Sequence, residues 1–126
     1  MVIGIFLFIG GYALANESSC ETSPLVKGKC FIVTGKLYTY NGWPPFLRVE
    51  SKQKKLYGVG PEENEIVPES IRQVLPTEVE GQFKFCPFGE TMSVPYDKRK
   101  IQMGCIQSVR SAWYYDRETG ERKKLK

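Results

Sequence analysis

Four cysteines, Cys20, Cys30, Cys86 and Cys105, all fall after a charge-free apolar opening, and that placement constrains the chain more than any other feature. Residues 1–15 read MVIGIFLFIGGYALA. The apolar run is short for a membrane-spanning helix, which needs about 20 residues. It ends Ala13-Leu14-Ala15, the small-x-small pattern at which signal peptides are cut. The expectation is a signal peptide over residues 1–15, cleavage before Asn16, and export to the periplasm or beyond the cell. No Lys or Arg precedes the run, so an uncleaved anchor and a start further upstream stay open as alternatives. An acidic residue, Glu17, stands where a lipoprotein signal before Cys20 would carry Leu, so lipid attachment is not expected. An even number of cysteines in an exported chain reads as two disulfides. Successive cysteines are separated by 10, 56 and 19 positions. No C-x-x-C pair exists, so neither a zinc site nor a redox dithiol is expected, and no metal or cofactor is assigned.

The remaining 111 residues are enough for one modest core. The sequence contains no His, which excludes His-dependent triads, His metal sites and His-based pH sensing. Net charge is +4, but residues 117–126 hold five basic and two acidic side chains. Residues 16–116 hold 13 basic and 12 acidic ones, so the expected folded body is nearly neutral. A nucleic-acid binder is expected to carry a basic stripe on its folded face. The terminal segment reads as a solvated, mobile basic tail.

The pattern along the chain is mainly strand. Residues 16–28 are a polar lead-in. Residues 30–40 (CFIVTGKLYTY) form a long strand with Gly35 placed for a bend. Asn41-Gly42 turns the chain, Trp43-Pro44-Pro45 stiffens the loop, and 46–50 and 55–59 give two further strands. Pro68 opens a short helix carrying Ile71, Val74 and Leu75 on one face, and Pro76 stops it. Residues 78–86 alternate strictly, with Val79, Gly81, Phe83 and Phe85 on one side. Residues 87–100 read as a loop. Residues 101–110 form the fifth strand, whose apolar parity shifts between Cys105 and Ile106 as a bulge beside Gly104 would shift it.

Three strands, a short helix and two strands resemble the OB-fold, a five-stranded barrel with its helix between strands three and four. The expected domain is an OB-like barrel over residues 29–116, with a disulfide-linked β-sandwich or a different small barrel as the alternative. The segments GKCFIVTGKLYTYNGWPP and FKFCPF are similar to a group of small exported bacterial proteins of unknown function. That resemblance implies a bacterial envelope setting and no activity. The OB-fold order implies that strands one and four are antiparallel neighbours. Cys30 would then pair with Cys86 and Cys20 with Cys105, while Cys20–Cys30 with Cys86–Cys105 stays open as the alternative.

Tyr38, Tyr40, Trp43, Phe46 and Tyr57 gather on the first three strands and their first loop, interleaved with Lys36, Arg48, Lys52, Lys54 and Lys55. In an OB-fold this region is the usual ligand face. The candidate ligand-binding residues are Tyr38, Tyr40, Trp43, Arg48 and Tyr57, set against the reading that several of them are simply core. The acidic run Glu62, Glu63, Glu65, Glu69 lacks calcium-loop spacing and reads as a solvated loop. No S-x-x-K or G-x-S-x-G arrangement occurs. The expected function is therefore a non-enzymatic exported binding module of the cell envelope, holding its ligand or partner on the aromatic face. The alternative is a disulfide-stabilised inhibitor or structural protein that presents a loop such as 41–46 or 88–100. A glycan, small ligand or envelope protein is expected ahead of nucleic acid, and no integral membrane segment is expected after signal cleavage. An enzyme ranks last.

Overall fold

Phe31–Thr39 form β1, and the residues that the alternation selects, Val33 and Leu37, are buried. In the computed structural model, which describes residues 14–60 and 65–126, β1 is the hub of a closed barrel. It pairs antiparallel with β2 (Leu47–Ser51) on one side and with β4 (Val79–Val94) on the other. β2 turns into β3 (Leu56–Val59), and β4 into β5 (Asp97–Tyr115). Parallel pairing of β3 with β5, from Leu56 opposite Ile101 to Val59 opposite Gly104, closes the five strands into the expected OB-like barrel. Most of the expected signal segment, residues 1–13, and Glu62 and Glu63 of the acidic run lie outside the described residues. Among the described residues, no helix is long and apolar enough to cross a membrane.

The interior is built from the inward parity of each strand: Leu37, Val49, Val59, Val79, Phe83, Phe85 and Val109 among others. Phe83 and Phe85 are fully buried, each supplying about 2–3 kcal/mol of apolar burial. Helix α1 (Glu69–Arg72) lies between β3 and β4, with Pro68 as its cap rather than its first helical residue. It is a single turn that brings Ile71 into the core, with Val67 buried before it and Val74 and Leu75 packed after it.

β5 contains an irregularity, at Gln107 rather than beside Gly104. Lys84 faces Ser108 and Phe85 faces Ile106, so Gln107 has no partner in the ladder. Its freed groups hold the lead-in. Ser18 N donates to the Gln107 carbonyl at 2.7 Å, Gln107 Nε2 donates to the Ser18 carbonyl at 2.8 Å, and Glu21 N donates to Gln107 Oε1 at 2.7 Å. Ser18 Oγ adds a bond to the Ile106 carbonyl at 2.6 Å. A buried amide satisfied at both ends adds no desolvation penalty and fixes the segment. Close by, Gly104 is required by contact: a Cβ there would lie 2.7 Å from Cε2 of Phe85.

Both disulfides follow the OB-derived pairing, Cys20–Cys105 and Cys30–Cys86, with Cα–Cα distances of 5.7 and 4.1 Å. Cys20, Cys86 and Cys105 form a second small core with Phe88.

Two expectations are corrected. The loop drawn at residues 87–100 is mostly sheet: β4 runs on to Val94 and β5 starts at Asp97, leaving Pro95 and Tyr96 as the turn. Pro87 does not end the strand because its missing donor falls at a register shift; its carbonyl accepts from Lys27 N at 2.7 Å, and pairing resumes at Thr91. The terminal segment is not a free tail either. Arg122–Lys124 form β6, paired with Trp113–Tyr115 of β5. Arg122 lies over the Trp113 ring at 4.5 Å, and Lys123 pairs with Asp116 at 2.9 Å.

Candidate functional site

Alternation sends Lys36 and Tyr38 of β1, Arg48 and Glu50 of β2, and Gly58 of β3 to the outside of the barrel. Register puts Tyr38 opposite Arg48 and Arg48 opposite Gly58. The β1–β2 loop closes with Tyr40 N donating to the Phe46 carbonyl at 2.7 Å. Arg48 holds this loop from beneath. Its Nε donates to the Pro45 carbonyl and its Nη2 to the Trp43 carbonyl, both at 2.9 Å, and its guanidinium lies 3.8 Å from the centre of the Tyr40 ring. Arg48 is only 2 % exposed and has no carboxylate partner among the described residues. A buried cation held by carbonyl dipoles and a ring face is a loop clasp, with Nε and Nη2 already committed.

Pro45 is pressed onto β3 at Gly58, where a side chain would collide with Pro45, Ile101 Cγ2 and Met103 Sδ. Leu56, Ile101 and Met103 fill the neighbouring outer face with Val94. The outer surface of β3 is thus covered by the protein's own loop and hairpin. What projects is the loop crest: Trp43 is 52 % exposed and Phe46 is also exposed.

Tyr38, Tyr40, Trp43 and Arg48 therefore form one assembly. Tyr57 does not join it. It shares the inward parity of Val59 and packs against Phe31 and Phe85, with ring centres 5.8 and 5.1 Å apart. Burial pushes the Tyr38 hydroxyl above the ordinary phenol range; Arg48 pulls it back and Glu50 adds to the rise.

Arg99, which the sequence reading did not single out, organises the flank of this assembly. It bonds Asp97 with Nε at 3.0 Å and Nη2 at 2.8 Å, and its Nη1 reaches Glu50 Oε2 at 2.6 Å and the Lys54 carbonyl at 2.9 Å. The spacing Asp97-x-Arg99 is a local signal for half of this network. Glu50 is 49 positions away from Arg99 and becomes a partner only through the barrel closure. The Arg99 guanidinium holds the Asp97 carboxyl down to about 2. A carboxylate whose pKa is depressed on folding stabilises the fold above its unfolded pKa and loses that contribution as pH falls through the folded value. The urea midpoint is therefore expected to fall between pH 4 and about pH 2. Asp97→Asn should flatten that part of the profile, and an unchanged profile would assign the acid sensitivity elsewhere.

Among the described residues, no three His, Cys, Asp or Glu side chains group to hold a metal ion. The architecture defines a small, disulfide-braced OB-like barrel with an aromatic loop clasped over the outer face of β3. No protein-family model, curated protein or solved structure matches the chain.

Proposed function

We propose that this protein is a non-enzymatic, exported binding module of the cell envelope that engages another envelope protein through the β1–β2 loop. The observation that carries the reading is the Arg48 clasp. It fixes Trp43 and Phe46 at the crest, and such preorganised aromatic anchors bind with little ordering cost. The open-platform reading, with a ligand stacked along β1–β3, is less well supported, because Pro45 covers Gly58 and Tyr57 faces inward. Export to the periplasm or beyond is supported by the leader composition and by the pairing of all four cysteines. The absence of His from the sequence supports a binding role over catalysis.

A photoreactive phenylalanine analogue at position 43, in living cells of the source organism, tests this. The control carries the same group at Tyr96, which is 98 % exposed. The expected result is one protein adduct at position 43 and none at position 96. The purified partner should bind the wild type at least about tenfold more tightly than Trp43→Ala, whose stability should change by less than about 0.5 kcal/mol. Identical adducts at both positions, no adduct, or Trp43-dependent binding to a purified glycan instead would each overturn the proposal.

A further inference from the structure

A second surface lies along β1, away from the loop crest. A trough of about 430 Å³ crosses the outer side of the barrel where Gly35 pairs with Ser51 on one side and Gly81 on the other. Lys36, Lys52, Lys54, Trp113 and Arg122 line it, together with the carboxylates Glu50 and Glu80. Lys54 also lines a second cleft of about 380 Å³, together with Lys55, Arg99 and Lys100 and with no carboxylate. The β2–β3 turn that carries these lysines is held in place. Ser51 N donates to the Lys55 carbonyl, Lys54 N to the Ser51 carbonyl, and Lys55 N to Ser51 Oγ, at 2.9–3.1 Å. Arg99 binds the Lys54 carbonyl from below.

Charge accounting shows which groups are free. Glu50 is committed to Arg99, and Arg99 also to Asp97. Lys36 reaches Glu78 at 3.7 Å, with both side chains largely exposed, a contact worth little. Lys52, Lys54, Lys55 and Lys100 have no ion-pair partner among the described residues, and neither does Glu80 in the trough. Four unpaired cations of the nearly neutral body, Lys52, Lys54, Lys55 and Lys100, thus lie along one track across two clefts, where their fields add.

We infer that this track binds a linear anionic polysaccharide, its acidic groups running from Arg122 and Lys36 over Lys52 and Lys54 to Lys55 and Lys100. The inference concerns a different surface from the Trp43 loop and stands independently of it. The lining favours a glycan over a nucleic acid. Trp113 is the one aromatic side chain lining the trough, and Arg122 already covers its ring; Tyr57, the aromatic side chain lining the second cleft, is packed against Phe31 and Phe85, so no row of free ring faces exists for bases to stack on. Thr34, Gln82, Ser111 and the unpaired Glu80 offer partners for sugar hydroxyls.

The test is a titration of the folded protein with polygalacturonate, with neutral dextran and a single-stranded oligonucleotide as comparisons. Polygalacturonate should bind and dextran should not. Affinity should fall about tenfold or more between roughly 50 and 300 mM salt. Lys36→Gln/Lys52→Gln/Lys54→Gln should weaken binding at least about tenfold, whereas Lys27→Gln/Lys29→Gln/Arg117→Gln, with the same loss of charge, should weaken it less than about twofold. Circular dichroism of each variant establishes that it is folded. No binding, equal losses in the two variants, or tighter binding to the oligonucleotide would each overturn the inference.

Discussion

Replacing Cys20 and Cys105 together by alanine should lower the unfolding free energy by about 4–5 kcal/mol, the loop-closure entropy of a bridge between residues 85 positions apart. That is a large share of the roughly 5–15 kcal/mol available to a domain of this kind. Alanine is the right replacement, because serine would bury two hydroxyls beside Phe88. The Cys30–Cys86 bridge spans 56 positions, and by loop length alone the two losses should differ by only about 0.4 kcal/mol. Any larger difference therefore measures the lead-in itself. Without Cys20–Cys105, the start of the lead-in is held by the bonds of Ser18 and Glu21 to the β5 bulge and by the exposed Glu21–Lys84 pair, with Lys27 N on the Pro87 carbonyl further along, and protease should cut it first. Urea unfolding of both double variants checks the prediction. A loss below about 1 kcal/mol would mean that the bridge does not constrain the unfolded chain.

Arg48→Met should destabilise the fold by about 2–3 kcal/mol and release the β1–β2 loop. Two effects oppose one another. Removing a buried guanidinium with no carboxylate partner relieves a desolvation cost. Against that, the carbonyls of Pro45 and Trp43 lose charge-assisted donors worth about 1.5–3 kcal/mol each, and the Tyr40 ring loses its cation. The second effect wins in part only, because a released loop regains water at both carbonyls. Arg48→Lys should not rescue the loss: an ammonium lacks the flat fork that reaches two carbonyls while stacking on a ring. Urea unfolding with amide exchange across residues 40–46 reads both quantities. A Met variant as stable as the wild type, with loop protection unchanged, would refute the clasp.

The sequence made the barrel legible because the relevant signals were local. Val79, Gly81, Phe83 and Phe85 alternate without interruption, and their strand is the antiparallel partner of β1. Strand order then supplied the disulfide pairing, and the parity shift after Cys105 signalled an irregularity in β5, which falls at Gln107 rather than beside Gly104. Misreadings arose where a local signal met a distant partner. Pro87 looked like a strand end because a proline removes a donor, but the structure puts a register shift there. Arg122–Lys124 looked like a solvated run because β6 depends on pairing with Trp113–Tyr115. Arg48 looked like a free cation among aromatics, and only the folded loop shows its Nε and Nη2 taken by carbonyls. Tyr57 could have been separated from the site at the outset, since it shares the parity of Val59.

The order in which the cysteines occur has a consequence for biosynthesis. A chain emerges N-terminus first, so Cys20 and Cys30 appear together, ten positions apart, long before Cys86 and Cys105 exist. β5, which closes the barrel against β3 and supplies Cys105, comes later still. In an oxidising setting the early pair is free to join with itself, and that bridge is absent from the finished fold. Where that bridge forms, a thiolate has to reopen it once β4 and β5 have arrived. The completed sheet holds only the native pairs together, which favours them over the early bridge.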